Sequence, residues 1–190
     1  MEVGTMVFIA ILVFVAGYAV VVYNSLVSLK HAVSQAWANI DVLLKQRHDE
    51  LPKLVETCKQ YMKHERETLA EVMRARAAVA SARKAHDIDG VGEAEGVLRL
   101  GLGNLFAVAE AYPDLKANES FQHLQTRITG LENAIADRRE FYNASVNANN
   151  VRIEQFPDLI IARLLSFQPA KLLEFAMQEK ADVNVAALFQ

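Results

Sequence analysis

The stretch AWANIDVLLKQRHDELPKLVETCKQYMKHE, Ala36 to Glu65, decides the fold. Its apolar residues Trp37, Ile40, Leu44, Leu51, Leu54, Cys58 and Tyr61 recur at steps of three or four, or at the sum of two such steps. That is the period of a helix and not the alternation of a strand. Charged residues fill the other positions, so one face is built for burial and the rest for water. The stripe extends back to Val33 and onward through Leu69, Val72, Ala75 and Val79, so residues 30–86 read as helical. Pro52 interrupts the run. Proline fits the first turn of a helix and disrupts an interior. Asp49 can cap a new helix with Pro52 still in its first turn. The apolar phase continues across Pro52, which suits a kinked continuous helix. A straight helix through residue 86 would outrun every partner in the chain, so a break near Pro52 is expected.

Working outward, His86 to Gly92 (HDIDGVG) reads as a turn. A shorter helix follows from about Glu93 to Tyr112, containing Gly96, Gly101 and Gly103. Glycine weakens a helix by about 1 kcal/mol against alanine, so its usual reason here is close backbone approach. Tyr112-Pro113-Asp114 ends that helix, and Asn118 or Ser120 starts a long one to about Ile153, with the stripe Phe121, Leu124, Ile128, Leu131, Ile135, Phe141 and Val146. Phe156-Pro157-Asp158 ends it, and a short apolar segment, Leu159 to Phe167, precedes a loosely patterned tail. Nothing alternates like a strand for any useful length. The fold class is all-α: an antiparallel up-and-down bundle of long helices.

Toward the N-terminus, no charged residue occurs from Val3 to Leu29, and MVFIAILVFVAGYAVVVY (Met6 to Tyr23) is nearly all apolar. A helix from Val3 to Tyr23 rises roughly 31 Å, the thickness of a hydrocarbon core of about 30 Å. A buried core helix rarely runs so long without a charge. A cleaved signal peptide would carry a basic flank and an A-x-A site before the polar switch, and neither is present there. The segment therefore reads as an uncleaved, single-pass anchor, with Tyr18 and Tyr23 at one interface. Gly4 and Gly17 are too far apart for a GxxxG face. The expected organisation is an anchor and junction at 1–29, a bundle at 30–156, and an apolar short helix with tail at 157–190. Glu2 flanks one end of the span, and Lys30, Lys45 and Arg47 follow the other. The positive-inside rule then places the N-terminus outside and the domain in the cytoplasm.

Four separated blocks carry a family resemblance: AWANIDVLLKQRHDELPKLVETCKQYMKHE, EAYPDLKANESFQHLQ (Glu110 to Gln125), ENAIADRREFYNASV (Glu132 to Val146) and FPDLIIARLLSF (Phe156 to Phe167). With the anchor followed by YNSLV (Tyr23 to Val27), they resemble the LemA family over nearly the whole chain. Leu43 and Gln46 depart from it, standing where the family leads one to expect a polar and a basic residue. The resemblance implies a membrane-anchored helical bundle of bacterial type, hence the cytoplasmic (inner) membrane. It implies no catalytic residues.

The residues themselves offer little chemistry. Net charge is −3, which gives no electrostatic footprint for nucleic acid. His64-Glu65 opens HERET, but a zinc-protease helix needs a second histidine where Thr68 stands. The remaining histidines are not at ligand spacing, so no metal is expected. Cys58 is on the apolar stripe and reads as a small core residue. The glycines of GVGEAEGVLRLGLG follow no strand, which excludes a dinucleotide loop. No cofactor is expected, and the protein reads as no enzyme. Tyr23-Asn24 and Tyr142-Asn143 repeat a pair, with Asn147, Asn149 and Asn150 following, which suggests a structural polar network or, as the second reading, a ligand or headgroup site. Leu159, Ile160, Ile161, Leu164, Leu165 and Phe167, with Arg163, are too few to span a membrane and suit its interface. Lys171, like Arg163, has a side chain able to extend toward headgroups. The tail residues Leu172, Leu173, Phe175, Val183, Val185, Leu188 and Phe189 are more apolar than a solvated tail needs, so they suggest self-association or docking on the chain's own bundle. The expected function is a membrane-anchored scaffold or interaction protein, probing the bilayer, a second copy and other membrane proteins as partners. The alternative is a sensor that binds a lipid or small molecule. Mass spectrometry of protein that stays in membranes through an alkaline wash should find residues 1–23 still attached. An N-terminus beyond Tyr18 would refute the uncleaved anchor.

Overall fold

The computed structural model describes residues 2–175, and those residues form helices joined by short turns. The helices are α1 (Val3–Tyr61), α2 (Arg66–Ala85), α3 (Ile88–Ala109), α4 (Pro113–Lys116), α5 (Glu119–Glu154) and α6 (Asp158–Leu164). They belong to two compact units. The first combines Met1–Asn39 with Glu140–Leu172; the second combines Ile40–Arg139 with Leu173–Gln190, of which the described part ends at Phe175.

Helix α1 runs through Pro52 without a break, which corrects the expected reversal there. The chain turns instead at Met62–Glu65. The energetics explain why. An interior proline costs about 3 kcal/mol. Leu51, Leu54, Val55 and Cys58 are all fully or nearly fully buried on the face that continues past it, and each buried aliphatic side chain returns about 1.5–3 kcal/mol. The unbroken apolar phase therefore outweighs the lost hydrogen bond.

In the second unit, α2, α3 and the start of α5 pack with the end of α1 around one core. Leu54 and Cys58 of α1, Val72 of α2, Leu98 and Leu105 of α3 and Ile128 of α5 all belong to it. Residue His86 ends α2 in the left-handed conformation (φ 54°), and its N–H closes on the carbonyls of Ala82 and Arg83. Helix α3 starts at Ile88, earlier than the expected Glu93, because Val91 is buried and holds that turn in the helix. Gly101 lets α3 approach α2: a Cβ there would sit 3.5 Å from Val72 Cγ2. Gly92 is a closer approach still, where a Cβ would fall 1.9 Å from the Glu174 carbonyl oxygen. Asn118 caps α5, its Oδ1 accepting the Phe121 N–H at 3.0 Å.

The described part of the tail docks on this unit. Leu173 and Phe175 are buried, and the Phe175 ring lies under the Arg139 guanidinium at 4.0 Å. Val183, Val185, Leu188 and Phe189 lie outside the described residues. Ile40 is fully buried, whereas Trp37 is only half-buried. Leu54→Ala should therefore cost about 2–5 kcal/mol, read as a lowered midpoint in denaturation of detergent-solubilised protein. An unchanged midpoint would show that this core is assigned wrongly.

Candidate membrane-contact site

The first unit pairs the apolar start of α1 with the end of α5 and with α6. Helix α1 contains an 18-residue window of mean hydropathy 2.7, almost none of it buried. Helix α5 runs antiparallel to α1. The Tyr142 ring meets Trp37 edge-on at 5.7 Å, and Ile153 shares a buried cluster with Val22 and Leu26. The chain then reverses at Gln155–Pro157. Tyr18 donates its hydroxyl hydrogen to Asp158 Oδ1 at 3.2 Å, Ala162 returns to the Val22–Leu26 cluster, and Phe167 packs edge-on against Tyr23 at 6.2 Å. Asp158 is buried, and its other oxygen pairs with Arg152.

The residues marked as a membrane interface fall on two sides of α6. Ile161 and Phe167 pack toward the cluster with Val22 and Leu26, and Leu159 is half-buried. Ile160, Arg163, Leu164 and Leu165 face outward. Lys171 is elsewhere: its carbonyl accepts from Tyr142, which lies beside Trp37, roughly 28 Å along α1 from Tyr18. Among the residues marked as a polar network, Tyr142 is buried, Asn143 is half-buried, and Tyr23, Asn24 and Asn147 are exposed. Tyr142 and Asn150 are among the side chains that tie down the segment after α6. Asn150 brackets Ala170, donating to its carbonyl at 2.9 Å and accepting its N–H at 2.8 Å, and Asn149 donates to Asn150 at 3.2 Å. A cleft of about 670 Å³ lies beside this segment, with Tyr23, Phe167 and Leu165 on its walls and Lys30 and His31 at its edge.

The second unit holds a charge cluster that the sequence reading left on solvated faces. Arg47 and Glu95 are buried, at 1% and 0% exposure. The Arg47 guanidinium pairs with both Glu95 and Glu132, and Arg99 reaches Glu132 at 3.5 Å. Burial works against the Arg47 charge, but the two carboxylates outweigh it and hold the group above its ordinary value. For Glu95 burial wins, and its carboxyl is pushed up despite the pull of Arg47. The signal was present. Arg47 fills the gap between Leu44 and Leu51 on the stripe, Glu95 that between Val91 and Leu98, and the buried Asn149 that between Val146 and Ile153.

Nearby polar groups are similarly engaged. Arg76 donates to the His48 carbonyl at 2.9 Å and stands 2.7 Å from His48 Nε2. Burial first, then Arg76, holds the imidazole below its usual value. In the HERET motif, Glu65 accepts from the Tyr112 hydroxyl at 3.3 Å. Burial pushes the Cys58 thiol up to about 11, which makes it a poor nucleophile at neutral pH.

The sequence model of the LemA family matches residues 36–186. The chain belongs to the LemA family. Protein LemA of Metamycoplasma hominis is 25% identical over 167 residues, covering 87% of this chain and 74% of that protein. Magnetosome protein MamQ 2 of Paramagnetospirillum magneticum is 31% identical over 97 residues, 51% of this chain. Magnetosome protein MamQ of Magnetospirillum gryphiswaldense is 33% identical over 75 residues, 40% of this chain. The matched stretch spans only 36% of the first of these magnetosome proteins and 28% of the second. Family membership and the exposed apolar start of α1 make this LemA-family chain a membrane-associated helical protein.

The charge cluster predicts a distinctive mutational pattern. Arg47→Met should cost about 3–5 kcal/mol, because Glu95 stays buried without its partner, and adding Glu95→Leu should recover most of that loss. The pH dependence has a definite sign. In Arg47→Met the Glu95 carboxyl is raised by burial with less to oppose it, so the folded state keeps its proton to higher pH than the unfolded chain. The single variant is then most stable below the ordinary carboxylate range and weakens as pH rises through the Glu95 value. Denaturation midpoints measured across that range test both statements.

Proposed function

We propose that the protein is a single-pass, membrane-anchored helical scaffold that self-associates and catalyses no reaction. The observation that supports this most is how the charged side chains taken out of water are paired: Arg47, Glu95 and Asp158 are buried, and Glu132 and Arg152 are half-buried. Arg47, Glu95 and Glu132 close on one another in the second unit, and Arg152 and Asp158 do so in the first. These groups fix helix positions, which is the task of a scaffold. Self-association is supported by the outer face of α3, where Val97 and Leu100 are exposed and Gly103 has open space beside it. From Leu100 onward that face of α3 carries no charge, and Glu93 and Arg99 border its N-terminal end. The location that fits the family and the flanking charges is the bacterial cytoplasmic membrane, N-terminus outside and helical domain in the cytoplasm.

A second reading, a lipid- or small-molecule-binding module, is favoured by one feature. A cleft of about 620 Å³ in the second unit is lined by the apolar Val55, Met62, Leu69 and Met73 and by Lys63, Arg66 and Lys59, the last paired with Glu56, which also lines it. Such a site suits an amphipathic anion. Cross-linking in native membranes, followed by sizing in mild detergent, separates the two readings. The scaffold requires discrete species larger than the monomer. A monomer carrying a co-purified ligand would favour the second reading and sink the first.

A further inference from the structure

The α5–α6 hairpin carries apolar surface that nothing covers among the described residues: Phe156, Ile160 and Leu164 are 76%, 60% and 79% exposed. Its depth follows from the rise of α1. A hydrocarbon core of about 30 Å that begins at Val3 is filled at about Tyr23, which puts Tyr18 about 7 Å inside the boundary. The 3.2 Å hydrogen bond from Tyr18 holds Asp158 at that same depth, and Phe156 and Pro157 form the tip of the turn just before it. Moving the boundary down to Tyr18 would leave the hairpin tip at headgroup level, but the span would shrink to about 22 Å, short of a normal bilayer by about 8 Å. Either placement brings the tip to lipid.

We propose that the α5–α6 hairpin is a second membrane contact, a wedge whose Phe156 tip and Ile160–Leu164 edge enter the leaflet from which α1 emerges. An insertion of about 7 Å is within the 5–10 Å typical of interfacial helices. Two acidic groups flank the tip: Glu154, on the α5 side, is exposed, whereas Asp158, on the α6 side, is prepared for the depth it holds. An unpaired carboxylate in hydrocarbon costs about 2.5–3.5 kcal/mol or more, and Asp158 is buried, paired with Arg152 and bonded by Tyr18. Lys30 and His31 follow Tyr23 by about 11 Å along α1, which sets their side chains at the level of headgroup phosphates.

The wedge rests on α1 lying in the bilayer, and the test separates the two. Nitroxide labels are attached to Phe156→Cys and Leu164→Cys in the full chain, reconstituted in phosphatidylcholine–phosphatidylglycerol vesicles. Phe14→Cys and Asn147→Cys serve as lipid and water references. The native Cys58 is buried, with its thiol raised to about 11, and stays unlabelled at neutral pH. All four labelled positions are exposed, so the core is undisturbed. The wedge predicts that oxygen relaxes the labels at 156 and 164 more than an aqueous nickel chelate does, at the level of Phe14, while Asn147 shows the reverse. Water-like behaviour at 156 and 164 beside a lipid-like Phe14 would overturn the wedge and leave the anchor standing. Protection from both relaxants would overturn it in favour of cover by another protein surface. A water-like Phe14 would remove the anchor and the wedge together.

Discussion

Taking a guanidinium out of water is the constraint around which the second unit is arranged. Arg47 can be buried only if carboxylates from other helices meet it, and Glu95 of α3 and Glu132 of α5 do so. Removing either partner from register would strand a charge, at a cost of several kcal/mol. Apolar packing alone tolerates sliding and rotation, because one leucine contact can replace another. An ion pair at a fixed level does not. The cluster thus specifies which faces of α1, α3 and α5 meet, and the apolar residues above and below it supply the energy.

In the first unit a smaller polar set has the same task. Asp158, Arg152 and Tyr18 set the level at which α6 begins. Asn150 offers Ala170 a side-chain amide that imitates a backbone neighbour, donor to carbonyl and acceptor to N–H. An irregular segment thereby satisfies its backbone without a strand beside it. After the turn at Leu165–Ser166, Phe167 to Lys171 can then follow the α1–α5 pair outside any helix, with Tyr142 holding the last carbonyl.

Much of this was legible in the sequence, and the failures share a cause. The helical stripes, the start of α5 at Asn118 or Ser120 and the apolar run of α1 follow from local periodicity, which one chain displays in full; the exception is Phe141, which is exposed while its neighbour Tyr142 takes the buried place. The turn at Met62–Glu65 was missed because proline is a strong local signal and met only a count of lost hydrogen bonds. The opposing term, burial of Leu54, Val55 and Cys58 against other helices, is non-local. The start of α3 was missed because Gly90 and Gly92 look like turn residues. Gly92 is small for another reason, the passage of the Glu174 backbone. Arg47, Glu95 and Asn149 each occupy a vacant step of an apolar stripe, so their burial could be read from spacing. Which of them would pair could not, since pairing depends on register between helices far apart in sequence. The LemA resemblance anticipated the family, and it carried no information on these contacts.

The edge-on contact between Trp37 and Tyr142 has a spectroscopic consequence. The chain contains 1 Trp, so all indole emission comes from this contact. Tyr142 touches the indole with its ring and holds the Lys171 carbonyl with its hydroxyl. The colour of the emitted light is therefore tied to the seating of a segment that the indole itself need not touch. Release of that segment frees the phenol, loosens the ring contact and admits water to a half-buried indole, shifting emission to the red. The protein carries its own optical gauge of whether the strap between α6 and Leu173 is fastened.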